Sequence, residues 1–314
     1  MAIIHTTSSR SAADVPSIGI ALGGGVARGF AHIGILKTLL VHGLRPDVIT
    51  GTSIGALIGG FCAVGQLEAV EEWALSLTRR RVLGYLDVSL KGSGLINGDR
   101  LARHLETVIG RTTIESLDVR FAAVATELAT GHEVWLTRGR LVEALRASYA
   151  LPGVFSPVRI GGRWLVDGAL VNPVPVSAAR ALDSGLVIAV NLNAGLIGRG
   201  STILNHGYDE EDHASVILDP GTRGTMGVEK VLKRHILGGG RRPGLTKVMI
   251  EAYNVMQDRI TRAKLAGDPP DITISPRLGN IGLFDFQRAG EAIAIGAEAA
   301  ERALDTIDHA VAAL

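Results

Sequence analysis

Short apolar runs alternate with amphipathic stretches along most of the chain. "SIGIAL", Ser17 to Leu22, is a β-branched run that stops at "GGGVARG", Gly23 to Gly29. "FAHIGILKTLLVHG" follows with helical spacing, Phe30, Ile33 and either Leu36 or Leu40 falling on one face and Gly43 ending the run. "DVIT" predicts the next strand, then a turn around Ser53 and an apolar helix to about Val64. A helix is expected from Leu67 to Leu77, and an amphipathic one in "GDRLARHLETVIG", capped near Asn97 or Asp99. "RFAAVATEL" and "HEVWLT" predict paired strands, and "RLVEALRAS" a helix. "SPVRIGGRWLVDG" predicts a hairpin turning at Gly161 and Gly162. "VSAARAL" is a short helix, and "GLVIAVNLN" has the unbroken apolar character of a buried parallel strand. Strands alternating with helices imply an α/β fold with a mostly parallel sheet.

From about 194 to 245 the periodicity fails. Acidic "YDEEDH" gives way to basic "EKVLKRHILGGGRRPG", the pattern of a long excursion over the surface. A helix from Thr246 to Leu265, a short strand "DITISP" and an alanine-rich C-terminal helix close the chain. Residues 1–16 are polar and lack a long apolar core, which predicts a mobile arm rather than a secretory signal. Residues 17–314 then form one domain. The stretch between Asp47 and Glu68 is uncharged and long enough to cross a bilayer, but it holds five glycines and Thr50, Thr52 and Ser53. Those polar groups favour a buried strand and helix over a membrane span.

Composition narrows the function. Of 314 residues, 46% are hydrophobic, ample for a large core, and 32 basic residues offset 31 acidic ones to a net charge of +1. That balance gives no global attraction to nucleic acid, and 4% aromatic residues make no stacking platform for single strands. The single cysteine, Cys62, rules out an internal disulfide or a multi-cysteine metal site, and fits a cytoplasmic protein.

The chemistry concentrates at strand ends. "GTSIG", Gly51 to Gly55, is a G-x-S-x-G pattern between a predicted strand and helix. There a serine is lifted onto a strained turn, its neighbours at ±2 must be small, and the new helix aims amides at developing negative charge. The same glycines, with Gly59, also fit simple close packing of a helix. "GGGVARG" likewise follows a strand and opens a helix, so its amides could bind an anion. A dinucleotide site would need G-x-G-x-x-G and an acidic residue ending the next strand; here that strand ends in Thr50. A Walker loop would need Gly-Lys-Ser/Thr. The remaining reading is an oxyanion hole, with the amides of Gly24, Gly25 and Val26 facing Ser53. Arg28 either anchors this loop, adds positive potential or pairs with a surface carboxylate. A serine needs a base. No histidine follows a strong late strand, His206 and His213 of the polar excursion being the remaining candidates. Asp167 does end an apolar strand, in "RWLVDGALVNP", where an aspartate can act on Ser53 directly or simply form an Asp-Gly turn.

Together "GGGVARGFAHIGIL", "GTSIG", "ASYALPGVFSPV" and "DGALVNPVP" resemble the patatin-like phospholipase family, over roughly Ile18 to Asn193. The form "GGGVARG" looks like the bacterial branch, which includes the neuropathy-target-esterase type. The resemblance implies a three-layer α/β/α fold and a Ser–Asp dyad, with Ser53 as nucleophile and Asp167 as base. It implies an oxyanion hole from the amides of Gly23, Gly24, Gly25 and Val26. Arg28, Gly29, Gly51, Gly55, Gly168 and Ala169 would support the motifs. It further implies a lipid acyl-ester substrate and neither cofactor nor metal. Lys230, Lys233 and Arg234 among apolar residues suit an interfacial helix at the inner membrane face. A thioesterase, a soluble carboxylesterase and a non-catalytic lipid-binding regulator are the rival readings.

Overall fold

The computed structural model describes residues 17–78, 80–82, 98–194 and 245–314. The chain forms two compact units, residues 1–196 with 257–314, and residues 197–256. The expected arm (1–16), most of the 194–245 excursion and the basic segment around Lys230 lie outside the described residues, as do His206 and His213.

The strands of the first unit are β1 (Ile18–Leu22), β2 (Val48–Thr52), β3 (Arg120–Glu127), β4 (Glu133–Leu136), β5 (Val158–Ile160), β6 (Arg163–Asp167), β7 (Leu186–Val190) and β8 (Ile272–Ile274). They form one sheet. β1 pairs in parallel with β2 and β7, β2 with β3, and β7 with β8. β4, β5 and β6 add an antiparallel extension. Among the described residues the α-helices are α1 (Ala31–Val41), α2 (Ile54–Ala63), α3 (Leu67–Leu75), α4 (Asp99–Ile109), α5 (Leu141–Ser148), α6 (Val176–Ala181), α7 (Leu245–Gly267), α8 (Ala289–Glu301) and α9 (Leu304–Ala312). Among the described residues no helix is long and apolar enough to cross a membrane. The uncharged stretch after Asp47 is β2 and α2, buried as its polar content requires.

Strand alternation sorts the core into two sides. Ile20, Leu22, Ile188 and Val190 face a large cluster with Phe30, Leu57, Phe61 and Ala292. Ala21, Val187 and Ala189 face a smaller one with Val176 and Ala179 of α6. Helices therefore cover both faces, a three-layer arrangement. The hairpin turns at Gly161 and Gly162, with φ of 56° and 82°, both of the left-handed sign that a tight two-residue turn needs.

Three elements differ from expectation. α1 is not amphipathic: Ala31 to Leu36 are all buried, because α8 covers the side turned away from the sheet. The C-terminal helix is two helices. The Ala303 amide bonds to the Ala300 carbonyl, tightening the turn, and α9 then buries Ile307. Asp99 is the first residue of α4 rather than its cap; Gly98, at φ 76°, stands before it.

The register of β3 decides where chemistry can happen. Val124 pairs with Thr52 of β2 and with Trp135 of β4. Ala125 pairs with Val134 of β4 and with Asp167 of β6. A strand has two edges, so β2 and β6 share one edge, with β4 on the other. β2 runs parallel to β3 and β6 antiparallel, so they meet end to end at Val124 and Ala125.

Candidate active site

Ser53 is the first residue past the end of β2. Its backbone is at φ 57°, ψ −122°, where a residue with a Cβ carries roughly 1–3 kcal/mol of strain. The neighbours explain how the turn fits. A Cβ on Gly51 would lie 2.4 Å from the Ala56 nitrogen, and one on Gly55 2.2 Å from the Leu22 carbonyl oxygen. Both therefore must be glycine, and α2 starts immediately after the serine. The Ser53 amide donates to Ser148 Oγ (2.9 Å), which donates to the Val124 carbonyl (2.6 Å). Ser148, at the end of α5, thus ties the turn to β3.

Asp167 arrives from the opposite direction at the end of β6. Ser53 Oγ donates to Asp167 Oδ2 at 2.6 Å. The Ala169 amide donates to Oδ1 at 2.8 Å. Gly168 lets the chain turn over β3: a Cβ there would stand 2.2 Å from the Val124 carbonyl oxygen. Asp167 is 1% exposed. Burial pushes its carboxyl up from 3.8 to about 6, against the lowering effect of the Ser53 and Ala169 hydrogen bonds. Near neutral pH it is therefore charged, but more basic than an ordinary aspartate.

The glycine loop lies on the other side of the serine. A Cβ on Gly24 would be 3.6 Å from Ser53 Cβ and 3.4 Å from Ala169 Cβ. Two of the four expected oxyanion donors are committed elsewhere. The Gly23 amide donates to the Val190 carbonyl and the Gly24 amide to the Pro173 carbonyl. These bonds stitch the loop to the end of β7 and to the segment after Asp167, so neither amide is open to a substrate. The amides of Gly25 and Val26 have no acceptor among the described residues. Val26 is itself strained, at φ 51°. Arg28 is buried, and its Nε donates to the Ile281 carbonyl while the Ala27 amide donates to the Leu283 carbonyl. Arg28 is thus an anchor rather than a surface ion-pair residue. Gly29 makes room for Ile54, whose side chain comes within 2.1 Å of the Cβ that Gly29 lacks.

Three residues outside the expected set complete the site. His32 is fully buried and its Nε2 sits 2.7 Å from the Gly23 carbonyl. Burial pushes its imidazole down from 6.5 to about 4, so it is neutral and Nε2–H donates. Ser148 positions the turn. Gln257 Nε2 donates to the Ala169 carbonyl at 2.7 Å. Ser148 and His32 had a signal in the sequence, standing inside "ASYALPGVFSPV" and "GGGVARGFAHIGIL", although His32 by itself reads as an ordinary helix residue; Gln257 is remote in the chain.

Residues 20–180 match the family model for patatin-like phospholipases. The chain belongs to the patatin-like phospholipase family. The match contains the glycine loop, Ser53 and Asp167, and the family is one of lipid esterases and phospholipases. An uncharacterized NTE family protein of Mycobacterium tuberculosis is 31% identical over 333 residues, covering 93% of this chain and 92% of the relative. Another, of Mycobacterium bovis, is 29% identical over 92% of this chain and 46% of its own length. Neuropathy target esterase sws of Drosophila melanogaster is 31% identical over 57% of this chain and 13% of its own length. Among solved structures, VipD from Legionella pneumophila superposes with a TM-score of 0.46 at 14% identity, covering 95% of this chain and 69% of VipD.

Proposed function

We propose that this patatin-like protein is a serine hydrolase of lipid acyl esters, a phospholipase or lysophospholipase, working through a Ser53–Asp167 dyad. The observation that carries the reading is the 2.6 Å hydrogen bond from Ser53 Oγ to Asp167 Oδ2, made by a serine held on a strained strand-to-helix turn. Asp167 takes the Ser53 proton as Oγ attacks the ester carbonyl carbon. The oxyanion forms against the Gly25 and Val26 amides at the start of the loop, each such donor being worth about 3 kcal/mol in serine hydrolases. The alcohol leaves with the proton from Asp167. Water, giving its proton to Asp167, then attacks the acyl-enzyme, releases the fatty acid and restores Ser53. Every proton moves through protein groups, so the cycle calls for no metal ion. We place this work in the cytoplasm on lipid at the inner membrane face, which suits a chain with one cysteine.

A fluorophosphonate probe tests the dyad directly. Wild-type protein is expected to label, and Ser53→Ala to remain unlabelled. Hydrolysis of a short-chain ester should fall at least about 10³-fold in both Ser53→Ala and Asp167→Asn. Unlabelled wild type, or unchanged hydrolysis in the variants, would overturn the mechanism. Comparing phospholipid, lysophospholipid and acyl-CoA then separates a lipase from a thioesterase.

A further inference from the structure

The antiparallel extension of the sheet ends in two hairpin tips beyond the dyad. Thr52, the residue before Ser53, pairs with Val124, and Asp167 pairs with Ala125. Leu128, just past β3, is three residues beyond Ala125, so it lies about 10 Å farther out in the direction in which β2 points. Its amide donates to the Trp164 carbonyl at 2.8 Å. Trp164 pairs in turn with Arg159 of β5. The turns that cap these strands stand clear of the protein: a Cβ on Gly131, Gly161 or Gly162 would meet nothing within 4 Å.

The tips carry apolar surface that the fold leaves uncovered. Leu128 is 55% exposed and Trp164 52%. The Arg159 guanidinium lies over the Trp164 ring, 5.9 Å from its centroid, and no carboxylate among the described residues pairs with it. Arg163 answers the Glu127 carboxylate at 3.6 Å, so the charge of Arg159 is left over. Such a row on narrow tips limits the occupant. Three side chains fall far short of the roughly 800 Å² per partner of a stable protein interface. A phospholipid surface asks for less area and matches in kind. Tryptophan is favoured at the headgroup level, its ring half in hydrocarbon and its N–H wet. Leucine goes deeper, and a guanidinium forks onto lipid phosphate.

We infer that the Leu128–Trp164–Arg159 row is the surface on which the protein rests against a phospholipid bilayer, Leu128 and Trp164 entering the interface and Arg159 holding phosphate. That orientation turns the carboxyl ends of β1 and β2, and with them Ser53, toward the lipid. The inference rests on the lipid-ester reading above, which names a substrate but no surface that meets it.

Binding is best measured on Ser53→Ala protein, so that no lipid is consumed and the result stands apart from the dyad. Vesicles of phosphatidylcholine, with and without an equal part of phosphatidylglycerol, are sedimented with the protein. Trp164→Ala and Leu128→Ser are each expected to lower partitioning onto both kinds about 10-fold, the effect of withholding one large apolar side chain. Arg159→Gln should lower it about 5-fold on the anionic vesicles, a difference that high salt should erase. Val41 serves as the control. It is 88% exposed at the end of α1 that runs back from the glycine loop, and Val41→Ser should bind as the parent does. Thermal unfolding at the parent's temperature would show that each variant folds. Lipids brominated in the acyl chain should quench tryptophan fluorescence, and Trp164→Phe should remove most of that quenching. Absence of binding, an equal loss in Val41→Ser, or quenching that survives Trp164→Phe intact would overturn the inference. So would a dimer in sedimentation velocity that Trp164→Ala dissociates, since the row would then be a contact between copies. Vesicle binding through this row by a protein that fails to label with fluorophosphonate would uphold the surface and remove the dyad.

Discussion

Asp167 carries two demands that conflict. As the proposed base it must be charged, yet its place against Ser53 is buried, and the burial pushes its carboxyl to about 6. The same shift that makes it a better proton acceptor near neutral pH makes its ionisation costly. Hydrolysis should therefore rise with pH through an apparent pKa near 6, measured as kcat/KM on a short soluble ester; a profile flat from pH 5 to 8 would exclude Asp167 as the base. The stability effect has the opposite sense. The folded carboxyl holds its proton between pH 3.8 and about 6 while the unfolded one has lost it, so stability falls as pH rises through that window. Above it the penalty is complete, about 3 kcal/mol for a shift of this size. Asp167→Asn should accordingly be inactive, more stable than wild type at pH 8 by up to about 3 kcal/mol, and equal to it below pH 4, as read by urea unfolding. A proposed base that costs stability is the expected trade at a strained site.

At the scale of elements, the glycine loop is held by what lies behind it. α1 begins where the loop ends and crosses α8 at very short range. A Cβ on Gly296 would meet the Ala31 carbonyl oxygen at 2.1 Å, and one on Gly34 the Ile293 carbonyl oxygen at 2.0 Å. These contacts are with backbone, which cannot swing aside. Gly296→Val should cost about 2 kcal/mol or more by overpacking and slow fluorophosphonate labelling, because displacing α1 drags the Gly25 and Val26 amides away from Ser53. Gly267→Ala, with open space around it, should stay within about 0.5 kcal/mol of wild type. Thermal unfolding alongside labelling rates would check both; a Gly296→Val protein that labels at the wild-type rate would uncouple the crossing from the site.

Across the whole molecule, two buried titrating groups pull stability in opposite directions. His32 is held at about 4 when folded and titrates near 6.5 when unfolded, so the unfolded chain binds the extra proton between those values. Its contribution is intact above pH 6.5 and is lost as pH falls toward 4, by about 3 kcal/mol. Asp167 contributes with the opposite sign from pH 3.8 to about 6. Replacing the histidine by His32→Gln, which keeps a donor for the Gly23 carbonyl, removes one side of this balance. Wild type should then lose stability relative to the variant as pH drops from 6.5 to 4, followed by urea unfolding at each pH. A constant difference would show that His32 is charged or exposed in the folded protein. The sequence by itself determined the alternation of strands and helices, the serine turn and the hairpin at Gly161 and Gly162, because these depend on local periodicity and on residues that tolerate tight backbone. It also singled out Ser53 and Asp167, each standing at the end of an apolar strand next to small residues. Only the tertiary structure decided that β2 and β6 meet end to end on one edge of β3, that Gly23 and Gly24 give their amides to Val190 and Pro173, and that α1 is buried on both sides. Those outcomes depend on which strands become neighbours and on which backbone groups find partners far away in the chain, and no local pattern encodes either.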